Sequence, residues 1–136
     1  MRECGFAMDE SRLQQISLFS ALAADDLKAL SRVVEEYSEP EGTTLVGQGD
    51  FGYEFIVLEE GTADVIRNGE KIDTLGPGDF FGELAVLKPS ELRNASVVAS
   101  SPVRIVAITA HNMRVLRERM PLLAEQMDRV VPDRTH

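Results

Sequence analysis

The sequence predicts a mainly β domain in which antiparallel strands form a sandwich or barrel, with helices before and after them. Three observations lead to this fold class. Short apolar runs separated by glycines occupy residues 35–109. Among them, Asn68-Gly69 lies between two such runs, which is typical of a tight β-hairpin. At both ends of the chain the apolar residues take the spacing of an amphipathic helix.

Residues 9–34 are predicted to be helical, in two stretches. Leu13 and Ile16 lie about one helical turn apart, after which the phase of the pattern breaks. Asp25 and Asp26 open the second stretch, where the helix dipole favours negative charge. Its apolar stripe consists of Leu27, Leu30 and Val34. The pattern therefore places helices before the strands.

Strands are predicted where apolar runs lie between turn residues, at 55–58, 63–66 and 103–108. Asn68-Gly69 is expected to join two strands, because both central residues of a type I′ turn need positive φ. Strands that are this short and this regularly interrupted favour an antiparallel sandwich or barrel over a parallel sheet.

Residues 111–131 return to helical spacing in two stretches. The first has an apolar stripe made of Met113, Leu116 and Met120. Pro121 then suits the first position of a new helix. The second stripe consists of Leu123, Met127, Val130 and Val131. Such a stripe belongs to a core or a dimer interface more often than to the lid of a ligand pocket.

Composition and charge exclude several classes of protein. The chain has 136 residues, enough for one domain, and a formal charge of -9 that would repel nucleic acid or an anionic membrane. No apolar run approaches the roughly 18–20 residues that span a bilayer, and the first residues lack the apolar stretch of a secretory signal. The single cysteine, Cys4, excludes an internal disulfide framework. We therefore expect a cytoplasmic protein that binds neither nucleic acid nor membranes.

Other familiar patterns do not indicate catalysis. Residues 47–52 match G-x-G-x-x-G, but a strand-like run follows in place of the helix that a dinucleotide site requires. The two histidines, His111 and His136, lie outside the strand region, so no set of metal ligands is expected there. Cys4 has no neighbour that would activate it as a nucleophile. We expect no enzyme activity, no catalytic cofactor and no metal.

Residues 78–97 have the features of an anion site. A strand end is followed by a short apolar turn at 83–87, whose free backbone N–H groups would favour an anion. Arg93 returns to the same neighbourhood, and its guanidinium can bind two phosphate oxygens at once. Gly82 would let a ligand approach the backbone, and Glu83 would accept a hydrogen bond from a ribose hydroxyl. Phosphate and ribose together indicate a nucleotide.

Two segments, 81–85 and 93–97, resemble the phosphate-binding cassette of cyclic nucleotide-binding domains, as in catabolite activator protein and protein kinase A regulatory subunits. They read Phe81-Gly82-Glu83-Leu84-Ala85 and Arg93-Asn94-Ala95-Ser96-Val97. The resemblance extends over residues 17–131 and includes the glycines at the predicted turns.

This resemblance implies an α+β, mainly β fold. The family has an eight-stranded antiparallel β-roll of the jelly-roll type, flanked by N-terminal helices and by C-terminal helices called B and C. Helices B and C would be residues 111–119 and 121–131. The implied divisions are an N-terminal helical segment (1–16), the cyclic nucleotide-binding domain (17–131) and a frayed C-terminus (132–136).

The resemblance also implies how the cassette would bind its ligand. Arg93 would pair with the cyclic phosphate. The backbone N–H groups of Ala85 and Asn94 would complete the phosphate cradle. Glu83 would accept a hydrogen bond from the ribose 2′-hydroxyl.

Three further residues, Gly82, Leu84 and Ala95, would contribute their backbones to the site. Candidate apolar walls of the base pocket are Val65, Ile72, Leu123 and Met127. Asn94 departs from the Ala, Ser or Thr that the family commonly has there, so the resemblance leaves the choice between cyclic AMP and cyclic GMP open.

The function implied is that of a sensor domain for a cyclic nucleotide, with cyclic AMP the expected ligand. Binding would tighten the cassette and move the C-terminal helices, and the signal would reach an effector protein in trans or a homodimer partner through the last helix. The alternative is a protein-interaction module on the same fold that needs no nucleotide. An enzyme acting on a nucleotide or sugar phosphate is disfavoured, because the sequence shows no catalytic set.

Overall fold

Eight strands occur among residues 10–49, 54–82 and 93–130, which are the residues that the computed structural model describes. They are β1 (Glu35–Glu39), β2 (Thr44–Val46), β3 (Glu54–Glu60), β4 (Ala63–Arg67), β5 (Glu70–Leu75), β6 (Phe80–Phe81), β7 (Ser96–Ala99) and β8 (Val103–Thr109). They form two antiparallel sheets with the strand orders β1-β8-β3-β6 and β2-β7-β4-β5. The predicted eight-stranded antiparallel roll is confirmed.

Helices precede and follow the strands. They are α1 (Glu10–Gln14), a 3-10 turn (Ser17–Phe19), α2 (Ala24–Ser31), α3 (Ala110–Arg119) and α4 (Pro121–Val130). The predicted C-terminal helices are confirmed, and Thr109 caps α3 by accepting a hydrogen bond from the N–H of Asn112 at 3.2 Å. The predicted helical region 9–34 is divided into short pieces, because Ile16 is extended (φ -77°, ψ 125°).

The hairpin between β4 and β5 is confirmed at Asn68-Gly69. The φ angle is 53° at Asn68 and 81° at Gly69, so both residues adopt the left-handed conformation of a type I′ turn. On its other side β4 pairs with β7, where Ile66 lies opposite Ser96. The tip of the hairpin is thereby placed beside the segment that leads into β7.

The central part of β3 is covered on both faces. Phe55 and Val57 belong to the core beneath the helices, whereas Ile56 and Leu58 belong to the core inside the roll. Side chains of a strand alternate between its faces, so a strand with two buried faces has a continuous apolar sequence. This explains why residues 55–58 show no alternation of apolar and polar residues.

The core beneath the helices contains side chains from both ends of the described chain. Leu13 of α1, Phe19 of the 3-10 turn, and Leu123 and Met127 of α4 are all 0% exposed within it. α4 therefore packs against the N-terminal helical segment over the outer face of β3. The proposed domain boundary at residue 16 stays a prediction, and residues 132–136 lie outside the described part of the chain.

A cluster of two arginines and two glutamates connects α1 to the sheet. Nη2 of Arg12 lies 2.6 Å from Oε1 of Glu36 and 2.6 Å from Oε1 of Glu59, and Arg12 Nε donates to Oε2 of Glu59 at 3.1 Å. Arg104 approaches Glu36 at 3.0 Å. The hydrogen bond with Glu59 is the largest influence that raises the pKa of Arg12, while partial burial opposes it. We call these four residues the Arg12 cluster.

Candidate functional site

Arg93 lies just before β7, and its side chain reaches the start of β3. Its Nη2 donates a hydrogen bond to the carbonyl oxygen of Glu54 at 2.8 Å, and the residue is half-buried. A guanidinium carries five N–H donors in one plane, so a bond from Nη2 to a fixed carbonyl restricts the orientation of that plane. The roll itself therefore positions the arginine that the sequence predicts for the phosphate.

Gly82 follows β6 and leaves the space that the guanidinium of Arg93 occupies. Its φ angle is +90°, a conformation that residues with side chains rarely adopt. A Cβ atom at this position would lie 2.6 Å from Nη1 of Arg93 and 2.5 Å from the carbonyl oxygen of Glu54. Glycine is thus required here by the positive φ and by the carbonyl of Glu54, and it also leaves room for the guanidinium of Arg93. The approach of a ligand to Gly82 stays a prediction.

The main chain around Arg93 is also anchored. The N–H of Gly49, in the turn after β2, donates to the carbonyl oxygen of Arg93 at 2.8 Å. Nε of Arg67, at the end of β4, donates to the carbonyl oxygen of Asn94 at 3.3 Å. Three separate parts of the roll therefore hold this segment: the start of β3 through the side chain of Arg93, the turn after β2 through the carbonyl of Arg93, and the end of β4 through the carbonyl of Asn94.

The structure brings together part of the predicted cassette. Gly82 and Arg93 are adjacent, Asn94 is exposed, and Ala95 is 6% exposed. Three predicted residues lie outside the described part of the chain: Glu83, Leu84 and Ala85. Their contacts with a ribose or a phosphate stay predictions, as does the donation of the Asn94 N–H to a phosphate.

The residues predicted to face the base occupy different environments. Val65 is buried inside the roll, and Ile72 on β5 is 39% exposed. Leu123 and Met127 are buried in the core beneath the helices. A contact between any of them and a base stays a prediction. For Leu123 and Met127 it would require α4 to leave the position seen here.

Three contributors to the site were not predicted: the side chain of Arg67, and two backbone groups, namely the carbonyl group of Glu54 and the N–H of Gly49. Every residue except proline has both backbone groups, so no residue type signals that one of them will hold an arginine. The turn glycine offers a partial signal, because Gly49 has φ +86° and so takes a conformation that favours glycine.

Residues 10–49, 54–82 and 93–130 contain neither a candidate metal cluster nor a helix that could span a membrane. In these ranges no three or more His, Cys, Asp or Glu side chains are grouped so that they could hold a metal ion. None of the helices within them is long and apolar enough to cross a membrane.

Comparison with known proteins identifies the class to which this roll belongs. A solved structure from Geobacter metallireducens, of a proposed cyclic nucleotide-binding protein, superposes with a TM-score of 0.81 at 25% identity. The match covers 95% of this chain and 99% of that one. The fold is therefore that of a β-roll ligand-binding domain. The family model for the cyclic nucleotide-binding domain matches residues 38–120, and the chain belongs to this family.

Two further proteins are similar to this chain, one in sequence and one in fold. The cAMP-dependent protein kinase regulatory subunit of Pyricularia oryzae is 34% identical over 103 residues, which cover 74% of this chain and 26% of that protein. The chain therefore spans about a quarter of the length of that relative. The regulatory subunit of a cAMP-independent protein kinase A from Trypanosoma brucei has the same fold, with a TM-score of 0.75 at 22% identity. That match covers 88% of this chain and 44% of that one.

Proposed function

We propose that this domain binds a cyclic nucleotide, cyclic AMP first among them, and that Arg93 pairs with the cyclic phosphate. The observation that carries the proposal is the position of the Arg93 guanidinium, which lies against Gly82 and donates to the carbonyl of Glu54. A guanidinium that is already ordered loses less conformational entropy when it binds a phosphate. Membership of the family supports a cyclic nucleotide as the class of ligand.

The remaining cassette residues would complete the binding site. Glu83 would accept a hydrogen bond from the ribose 2′-hydroxyl, which would favour a ribonucleotide. The backbone N–H groups of Ala85 and Asn94 would donate to phosphate oxygens. Because the chain has a formal charge of -9, a phosphate needs a well-placed cation to bind at all. We expect Arg93 to supply most of that attraction.

The proposed output is a change in the position of the C-terminal helices. α4 is held by the packing of Leu123 and Met127, both 0% exposed, against the N-terminal helical segment. A nucleotide that binds tenfold better to one position of α4 would stabilise that position by about 1.4 kcal/mol. The receiver would be an effector protein in trans or a second copy of the chain, in the cytoplasm. Among the described side chains of these helices, Val115 and Leu122 are large, apolar and exposed, at 41% and 54%, and they could make such a contact.

Thermal unfolding of the purified chain with cyclic AMP, cyclic GMP or 5′-AMP tests the proposal. The three ligands must be compared directly, because a regulatory subunit with this fold belongs to a cAMP-independent kinase. A ligand at about 100 times its Kd adds about 2.7 kcal/mol to the free energy of unfolding, which raises Tm by several degrees in a domain of this size. We expect such a rise with a cyclic nucleotide and none with 5′-AMP. No rise with any of the three would overturn the proposal.

Two arginine variants test whether the nucleotide binds at the predicted site. Arg93→Ala and Arg114→Ala each remove one positive charge, but Arg114 is exposed on α3. We expect Arg93→Ala to weaken binding by about 100-fold or more, since a hydrogen-bonded charge pair is lost, while Arg114→Ala keeps its affinity. An Arg93→Ala protein that is folded by circular dichroism and binds as tightly as the wild type would contradict the assignment.

A protein-interaction module that needs no nucleotide is the second candidate function. The observation that favours it is the exposure of Val115 and Leu122 on the C-terminal helices, since a docking partner would cover exposed apolar side chains. Binding of an effector that is equally tight with and without cyclic nucleotide would support this function. A partner that binds in a nucleotide-dependent way would support the sensor.

A further inference from the structure

The turn after β2 holds the segment that contains Arg93 through two consecutive backbone amides. The N–H of Gly49 donates to the carbonyl oxygen of Arg93 at 2.8 Å. The N–H of Gln48 donates to Oγ of Ser96, at the start of β7, also at 2.8 Å. These two bonds bracket the residues between Arg93 and β7. The position of the turn thus determines the position of the arginine backbone.

The side chain of Gln48 connects this turn to the tip of the β4–β5 hairpin. Its Nε2 donates to Oδ1 of Asn68 at 2.8 Å, and the N–H of Asn68 donates back to its Oε1 at 2.8 Å. The same hairpin holds the arginine segment directly, because Arg67 Nε donates to the carbonyl oxygen of Asn94 at 3.3 Å. Turn, hairpin tip and arginine segment therefore form one hydrogen-bonded junction, with Gln48 at its centre.

We infer that Gln48 is a positioning residue for Arg93: by joining the turn to the hairpin tip, it fixes the backbone from which the phosphate-binding guanidinium extends. This inference rests on the proposed function. None of the contacts described for Gln48 involves the guanidinium itself, so it acts through the backbone of residues 93–96. The conformation of the hairpin tip thereby becomes a determinant of nucleotide affinity.

Affinity and stability should respond differently to loss of this junction. The hydrogen bonds of Gln48 are exposed, and exposed neutral hydrogen bonds add little to the stability of a fold because water replaces them. A less ordered Arg93, by contrast, must be ordered again at each binding event. We therefore expect loss of Gln48 to lower affinity and to speed dissociation, with little change in the Tm of the ligand-free protein.

The decisive experiment measures the Kd and the dissociation rate of cyclic AMP and of cyclic GMP at 25 °C, together with the ligand-free Tm. We expect Gln48→Ala to weaken binding about three- to tenfold. Gln14→Ala is the matched control, because Gln14 is exposed on α1 and has no part in this junction. Ser96→Ala should weaken binding in the same direction, and Ser96→Thr, which keeps the accepting hydroxyl, should bind like the wild type.

A double-mutant cycle identifies the bond that transmits the effect. Asn68→Gly removes the Oδ1 acceptor but tolerates the φ of 53° at this position. If both residues act through one junction, Gln48→Ala combined with Asn68→Gly will bind no more weakly than Gln48→Ala alone. Losses that simply add would overturn the inferred route.

The outcomes separate this inference from the proposed function. A wild-type chain that binds neither cyclic nucleotide would overturn the proposed function, and this inference with it. A wild-type chain that binds, with Gln48→Ala and Ser96→Ala unchanged within twofold, would overturn the inference alone. A lower Tm in these variants with unchanged Kd would assign Gln48 a purely structural role and equally overturn it.

Discussion

The contacts that hold the interior of the roll together differ from those that hold the helical layer, by which we mean helices α1 to α4 and the 3-10 turn. Among the residues that the structure describes, the apolar side chains inside the roll come from or lie beside strands that share backbone hydrogen bonds with their neighbours. The helical layer is attached to the outer face of β3 by side-chain packing and by the Arg12 cluster. Arg93 is anchored to the roll. The roll thus fixes Arg93, whereas a shift of the helices would break no strand pairs. The proposed binding and the proposed output would therefore use parts of the molecule with unequal freedom.

The largest effect is expected from a cavity inside the roll. Leu58 is 0% exposed there, so Leu58→Ala should lower the free energy of unfolding by about 2–5 kcal/mol. Urea unfolding followed by circular dichroism measures the loss. We expect one cooperative transition, because the strands share one ladder on each sheet. Separate transitions for strands and helices would contradict the view of the roll as the unit that holds the helices.

A cavity in the helical layer should have a smaller and more local effect. Met127 is 0% exposed between α4 and the N-terminal segment, and Met127→Ala should cost about 2–3 kcal/mol, at the low end for such a change because α4 can adjust. Amide hydrogen exchange should become faster in α4 than in β3. Equal acceleration of amide exchange in α4 and β3 would show that the helices and the roll open together, and would contradict the difference in freedom between them.

Much of this architecture could be predicted from the sequence, because its signals are local. The runs 55–58 and 103–108, the Asn68-Gly69 turn and the two C-terminal helices are each encoded by neighbouring residues. The two helical stretches predicted over 9–34 were too long, since extended residues at Ile16 and Ala23 leave only short helices between them. Long-range pairing explains what was missed: α4 meets the 3-10 turn over a separation of about a hundred residues.

The candidate site was predictable in one respect and not in another. Arg93 could be selected because it follows the short turn and because residues 81–85 and 93–97 resemble the phosphate-binding cassette. Its anchors could not, since the carbonyl of Glu54 and the N–H of Gly49 are backbone groups. The role of Gln48 depends on the register that places Ile66 opposite Ser96, and register is a property of the folded sheets.

Comparing Gly82→Ala with Gly42→Ala should separate the effect of backbone strain on nucleotide affinity from the effect of displacing Arg93. Gly82→Ala and Gly42→Ala introduce the same strain in φ, because φ is +90° and +91° at the two positions, and this strain should cost about 1–2 kcal/mol of stability in each. Gly82→Ala should lose more stability, because its Cβ would also lie 2.5 Å from the carbonyl oxygen of Glu54. The Cβ at position 82 would lie 2.6 Å from Nη1 of Arg93, whereas nothing lies within 4 Å of one at position 42. Only Gly82→Ala should therefore lose nucleotide affinity.

Calorimetric titration with cyclic AMP, at a temperature where both variants are folded, measures the difference between them. We expect Gly42→Ala to bind as tightly as the wild type. Equal loss of affinity in both variants would mean that general loosening of the roll, and not displacement of the arginine, controls binding. Equal retention would show that Arg93 can move aside without consequence.

The smallest effect is expected at the ionic contact between the layers. Arg12→Ala removes three short contacts with Glu36 and Glu59 and should cost about 0.5–1 kcal/mol, since the Arg12 side chain is 31% exposed and water screens it. The loss should be larger in about 0.05 M salt than in about 1 M salt. Arg119→Ala, an exposed position on α3, is the control for simple loss of charge.

Arg12→Ala also tests whether the attachment of α1 to the sheet influences the position of α4. If α1 helps to hold α4 in its present position through their shared core, loosening α1 should favour the alternative position of α4. A ligand that favours the alternative position of α4 would then bind slightly more tightly. The gain in binding free energy would equal the free energy by which α1 no longer stabilises the present position of α4. Titration of Arg12→Ala and Arg119→Ala with cyclic AMP at low salt measures this. Unchanged affinity in Arg12→Ala, with lower stability, would show that the cluster fastens the helical layer without taking part in the coupling.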